Sequence, residues 1–205
     1  MSFNHGCCGR QAPSNGSVNC TALGPFRAID AACIVPPALT GSIIPFASGA
    51  TAVALTSLAG GLVGTPSLIG FGTAVPGVFL AGNAIDLTGL INEAFSVPRP
   101  GLLTAISASF TLTAALTLAE SATVSAEIYR APAGSNTFTP TGVRVDLAPT
   151  LTPLITVGTT LSGASSNFAP VPVAVGDRLL MVFTLGGSVL AGAVTGTASA
   201  GVTIA

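Results

Sequence analysis

From Ile106 to Leu118 every second residue is apolar: Ile106, Ala108, Phe110, Leu112, Ala114, Leu116 and Leu118 alternate with Ser107, Ser109, Thr111, Thr113, Ala115 and Thr117. A helix turns its side chains by about 100° per residue and cannot place all seven on one face; a pleated strand does so automatically. Shorter stretches repeat the pattern. Val124, Ala126 and Ile128 alternate with Thr123, Ser125, Glu127 and Tyr129, and Val143, Val145 and Leu147 alternate with Arg144 and Asp146. The run Leu179–Leu185 is apolar apart from Thr184, as for a strand covered on both faces, and Leu190–Ile204 alternates with small residues. Turn formers stand between runs, at Pro98–Gly101, Pro132–Asn136, Pro149–Pro153, Gly163–Asn167, Gly176-Asp177 and Gly186-Gly187. Counting runs predicts about eight to ten strands and no helix, hence an all-β jelly-roll sandwich. A solenoid is the alternative, but no repeat of fixed period occurs. Ile106, Phe110, Leu112, Val124, Ile128, Leu179, Met181 and Phe183 are the expected core.

Residues 1–42 read as an extended arm and 43–205 as the body, a trimerisation domain. The arm has turn formers at Asn15-Gly16, Gly24-Pro25 and Pro36-Pro37, no sustained period, and one short apolar stretch, Ala31–Val35. It also holds every cysteine: Cys7, Cys8, Cys20 and Cys33. A core using cysteine as a small hydrophobe would scatter it, so these thiols are candidates for disulfides between subunits. Adjacent cysteines rarely bond to each other, so Cys7 and Cys8 reach different partners. Zinc is the weaker alternative for His5 and the four cysteines, because structural zinc sites use short paired spacings. Asn19-Cys20-Thr21 matches a glycosylation acceptor only by pattern.

Charge narrows the function classes. Charged residues make up 6% of the chain, against roughly 25% in an ordinary soluble protein. Lysine is absent and the net charge is -1, which offers no footprint for nucleic acid or an anionic membrane surface. So little repulsion favours association. The apolar stretch Ala47–Leu80 is broken by glycine and proline and does not read as a spanning helix. Nor do the first residues, Met1-Ser-Phe-Asn-His-Gly-Cys-Cys, read as a secretory signal; export by lysis of the producing cell is expected. Catalysis has little to work with, since the body holds no His, Cys or Lys. Glu120 and Glu127 could pair as glycosidase carboxylates, but tryptophan platforms are absent and solvated strand positions suit them better. Asp177-Arg178 reads as a turn cap or ion pair. No enzyme, cofactor or metal is expected.

Several motifs carry a family resemblance. Gly41-Ser-Ile-Ile-Pro-Phe-Ala-Ser-Gly49, Leu58-Ala-Gly-Gly-Leu-Val-Gly-Thr65 and Ser67-Leu-Ile-Gly-Phe-Gly72 resemble the C-terminal domain of exosporium (collagen-like) glycoproteins from spore-forming bacilli. Ile85-Asp-Leu-Thr88, Phe95-Ser-Val-Pro-Arg99, Asn136-Thr-Phe-Thr-Pro140, Arg178-Leu-Leu-Met-Val-Phe183 and Ala198-Ser-Ala-Gly-Val-Thr-Ile204 continue it. The resemblance implies a trimeric jelly roll of the C1q and tumour-necrosis-factor type at the spore surface. It departs upstream, where this sequence has no Gly-X-Y stalk; the arm with Cys7-Cys8 is similar instead to N-terminal connectors of endospore appendage subunits. The expectation is a self-assembling fibre or appendage subunit. Its partners are itself, as a homotrimer polymerised head to tail, and exosporium anchor and tip proteins. Ala31, Ala32, Ile34 and Val35 are expected to dock the arm, with Cys7, Cys8, Cys20 and Cys33 as inter-subunit bridges. The alternative is a C1q-like binding head tethered by the arm.

Overall fold

The computed structural model describes residues 41–205 apart from 59, 61, 91, 115–117, 119, 154–155 and 188–191. All four cysteines, His5, the docking segment Ala31–Val35 and Leu116 therefore lie outside the described residues. Those described contain thirteen strands and no helix. They are β1 (Ser42–Ala47), β2 (Val53–Ser57), β3 (Ser67–Ile69), β4 (Ala74–Val75), β5 (Ile85–Asp86), β6 (Phe95–Ser96) and β7 (Gly101–Ala114). β8 (Thr123–Ala131), β9 (Thr137–Asp146), β10 (Thr160–Ser165), β11 (Val171–Val173), β12 (Arg178–Gly186) and β13 (Gly192–Ile204) follow.

The strands form two sheets. The first runs β1-β13-β7-β10, with β2 also on β13 and β11 also on β7; the second runs β4-β3-β12-β8-β9-β5, with β6 also on β12. All strand pairings are antiparallel. Taking β1 with β2 and β10 with β11 as single broken strands leaves eight principal strands. Their orders, 1-8-3-6 and 2-7-4-5, are those of a jelly roll. Among these eight the chain crosses between sheets at every connection except the one from β8 to β9.

Inward side chains of both sheets make one core. All eight expected core residues are 2% exposed or less, and Phe110 meets Phe183 across the sandwich with ring centroids 6.4 Å apart. The alternation in β7 carries one correction. Leu103 and Ile106 are both buried although three apart, because a bulge opposite Thr203 and Ile204 inserts an extra residue and resets which side faces in. A second apolar cluster lies on the outer face of the second sheet: Leu68, Tyr129, Phe138, Leu180 and Val182 pack with Val78, Ile85 and Leu87. This accounts for the unbroken apolar run of β12, which is covered on both faces.

One expected turn is strand. Gly163, Ala164 and Ser165 belong to β10, paired with Ala108, Ser107 and Ile106. A Cβ on Gly163 would come within 2.8 Å of the Asp146 carbonyl oxygen. Small residues stand there because another strand end passes close, and composition alone imitated a loop. The stretch Ala47–Leu80 forms β2, β3, β4 and the start of the covering segment. Among the described residues no helix is long and apolar enough to cross a membrane.

Candidate self-association face

None of β1, β2, β7, β10, β11 and β13 contains a charged residue, so the whole first sheet is free of Asp, Glu, Lys and Arg. The second sheet carries Asp86, Glu127, Arg130, Arg144, Asp146 and Arg178 on its strands. The outer face of the first sheet is tiled in lateral rows. Ala47, Ser199, Ser109 and Ser162 form one; Pro45, Gly201, Ser107 and Ala164 the next; Ile43, Thr203 and Ala105 the third. These side chains are small because the alternating partners Phe46, Phe110, Val202 and Leu161 fill the core, which leaves Ser, Thr, Ala and Gly outward.

The hydroxyls of this face bond to each other. Ser109 Oγ and Ser199 Oγ lie 2.9 Å apart, and Thr111 Oγ1 and Thr160 Oγ1 3.0 Å. A hydroxyl already paired within the sheet costs less to remove from water than a solvated one. Arg99 stands at the rim and donates from Nη2 to Ser42 Oγ at 3.0 Å. A groove of about 350 Å³ crosses the face, lined by Ile43, Ala105, Ser107, Ala164, Gly201 and Thr203 among others. Gly201 has no positive φ. A Cβ there would meet only Ile43 Cγ2, at 3.8 Å, an ordinary contact. Gly196, farther along β13, differs: a Cβ there would collide with the Thr111 carbonyl oxygen. The folded chain needs Gly196 to be small but does not itself need Gly201 to be.

The ionisable groups are committed to local structure. Ser125 Oγ donates to Asp146 Oδ1 at 2.7 Å while accepting from Arg144 Nη2 at 2.8 Å, and Arg144 Nε donates to the same Asp146 oxygen at 3.0 Å. The Ser125 hydroxyl, together with Arg144, holds the Asp146 carboxyl below its ordinary range. Burial pushes Glu127 up, opposed by the Gly142 N–H, which donates to Glu127 Oε1 at 3.1 Å, and by Arg144. Glu127 thus caps an irregularity in β9 where Gly142 takes a positive φ of 80°. Asp177 accepts from the Ala174 N–H at 2.9 Å and lies 3.7 Å from Arg130, so it is both turn cap and ion-pair partner. Arg178 stacks over Phe138 at 5.1 Å and donates to Asn92 and Asn136, each at 2.7 Å.

Sequence reading did not find Glu93, a carboxylate only 5% exposed. Thr73 Oγ1 lies 2.9 Å from one of its oxygens and 2.8 Å from the other. A Cβ at Gly70 would overlap the Glu93 carboxylate; the only signal in the sequence was a glycine pair around Phe71. Among the described residues no group of three or more His, Cys, Asp and Glu comes together as a metal site would need. The expected bridges Cys7, Cys8, Cys20 and Cys33, and the docking residues Ala31, Ala32, Ile34 and Val35, lie outside the described residues.

No protein-family model matches the chain. It is 34% identical over 153 residues to "Collagen-like protein 1" of Acanthamoeba polyphaga mimivirus. That match covers 69% of this chain and 16% of the viral protein, so the chain spans about a sixth of its relative's length. Among solved structures, "Structure of Eiger TNF from S. frugiperda" aligns over 80% of this chain and 93% of its own, with a TM-score of 0.35 and 11% identity.

Proposed function

We propose that this chain is a self-assembling structural subunit of a surface fibre or coat, of the spore-appendage kind. Its bodies associate as trimers through the uncharged outer face of the first sheet, and the arms link trimers head to tail with disulfides. The observation that carries the reading is the segregation of charge. A face with no ionisable group meets copies of itself without like-charge repulsion and without stranding a buried charge. Its size suits the task. With 13 residues in β13 at ~3.3 Å each and four strands ~4.8 Å apart, the face measures roughly 800 Å², about what one partner contributes to a stable interface. Similarity to part of a viral collagen-like protein supports a structural, surface-displayed role. The number three, and the spore as the site, rest on the family resemblance.

Gly201 provides the test. Gly201→Leu fills the groove with a side chain that the single chain has room to point outward. In light scattering the wild type is expected at about three times 19.9 kDa or larger, and the variant at a fraction of that mass with unchanged far-ultraviolet circular dichroism. A monomeric wild type, or a variant of undiminished mass, overturns the face assignment.

The second reading, a binding head, is favoured by Phe79, which is 84% exposed on the segment covering the second sheet. Electron microscopy of the full chain separates the two: filaments for the fibre subunit, discrete particles for the head.

A further inference from the structure

We infer that the outer edge of β1 receives the arm of a neighbouring copy, with Ala31–Val35 added as a strand to the first sheet; this rests on the head-to-tail reading above and names its docking site. β1 pairs with β13 on one side from Ser42 to Ala47 without a register break. At its end, the Ala47 N–H donates to the Gly70 carbonyl and the Ala47 carbonyl accepts from the Gly72 N–H, both at 2.8 Å. The polar groups of Ala47 therefore face away from β13, whereas the next residue, Ser48, donates to the Ala198 carbonyl of β13 at 2.9 Å. Backbone direction alternates along a strand, so Pro45 and Ile43 face away from β13 as Ala47 does. Proline fits there because its missing N–H costs the sheet no bond. What remains is a short open edge: the Ile43 N–H, the Ile43 carbonyl and the Pro45 carbonyl. Among the described residues none of the three has a backbone partner beyond β13. The Ile43 side chain beside them is 75% exposed.

The occupant follows from the chain that leads into this edge. The described structure starts at Gly41, two residues before Ile43. The 40 residues upstream contain one apolar run, Ala31–Val35, five residues long and uncharged like the sheet it would extend. An extended peptide docks most economically by adding a strand to an open edge, and a segment of this length spans β1 from Ser42 to Phe46. The donor is a neighbouring copy because the proposed assembly links chains head to tail. At up to ~3.3 Å per residue, an arm of about 40 residues reaches ~130 Å, ample for the crossing.

The test uses the full chain and two arm variants. Ile34→Asp and Val35→Asp each place a charge in the docking segment and leave the body, with its uncharged face, untouched. Both are expected to reduce sedimentable fibre at least tenfold, leaving trimer-sized particles with unchanged circular dichroism. The Ile43 amide is expected to exchange at least tenfold faster in these particles than in wild-type fibre. Fibres from both variants equal to wild type, or an Ile43 amide that exchanges as fast in wild-type fibre as in the variant trimers, overturn the edge assignment while leaving head-to-tail assembly standing. A wild-type chain that never polymerises overturns the head-to-tail reading, and this inference with it.

Discussion

Asp146 is held by Ser125 and Arg144 on the rim of the second sheet, and its side chain remains 62% exposed. Its folded pKa lies below the unfolded one. The folded state therefore binds that proton less readily, and the resulting stability is present above the ordinary carboxylate range and lost as pH falls through the folded value. Glu127 acts in the opposite sense. Its raised pKa stabilises the fold while the group is protonated, and that contribution fades as pH rises through the folded value. Asp146→Asn is expected to flatten the acid limb of the stability curve. Between about pH 5 and pH 3 the melting temperature of the wild type should fall more than that of the variant, by at most a few degrees, since exposed pairs are worth no more than about 1 kcal/mol. Equal slopes in thermal melts across that range would remove Asp146 from the account. The pair was legible as polar residues alternating with Val143 and Val145. The bulge that gathers Glu127 and Gly142 was not, because a bulge depends on what lies opposite.

At the scale of elements, β12 shows what periodicity can settle. Five apolar residues in a row, Leu179–Phe183, have no preferred face, which already required cover on both sides. Leu180 and Val182 are buried under the 76–95 segment as completely as Leu179 and Met181 are in the core. Leu180→Ala is expected to cost about 2–5 kcal/mol, as for a core leucine. Phe79→Ala, on the same covering segment but facing solvent, should stay within about 0.5 kcal/mol. Urea denaturation of the two variants checks the contrast; a mild Leu180→Ala would mean the second cluster is loosely held. Strands of two or three residues, β3, β4, β5, β6 and β11, are too short to show a period and could not be read from sequence. Gly163 was misread for a related reason: a glycine pressed against a neighbouring strand looks, in one dimension, like a glycine in a turn.

The described body has two unlike sheets, and the assembly proposed above rests on that difference. If Cys7 and Cys8 bridge between chains, non-reducing gels of the oxidised protein should show a ladder or material too large to enter, collapsing to one band with reductant. A single-chain band with all four thiols blocked would place the bridges within one chain and leave fibre cohesion to the β1 edge alone. With bridges between chains, replacing both by Ser should leave fibres that form but come apart more readily in denaturant.

Alternation and turn residues alone determined that this chain makes strands and, away from the bulge in β7, which side chains face the core. Those properties are local, set by side chains two residues apart. Only the tertiary structure decided that β1, β2, β7, β10, β11 and β13 share one sheet, which turns scattered uncharged segments into one uncharged face. It alone placed Gly201 on the floor of a groove and left Ile43 on an open edge. Pairing joins residues far apart in sequence, as Ser42 to Ile204, and is selected by the packing of the whole core, which no local period encodes.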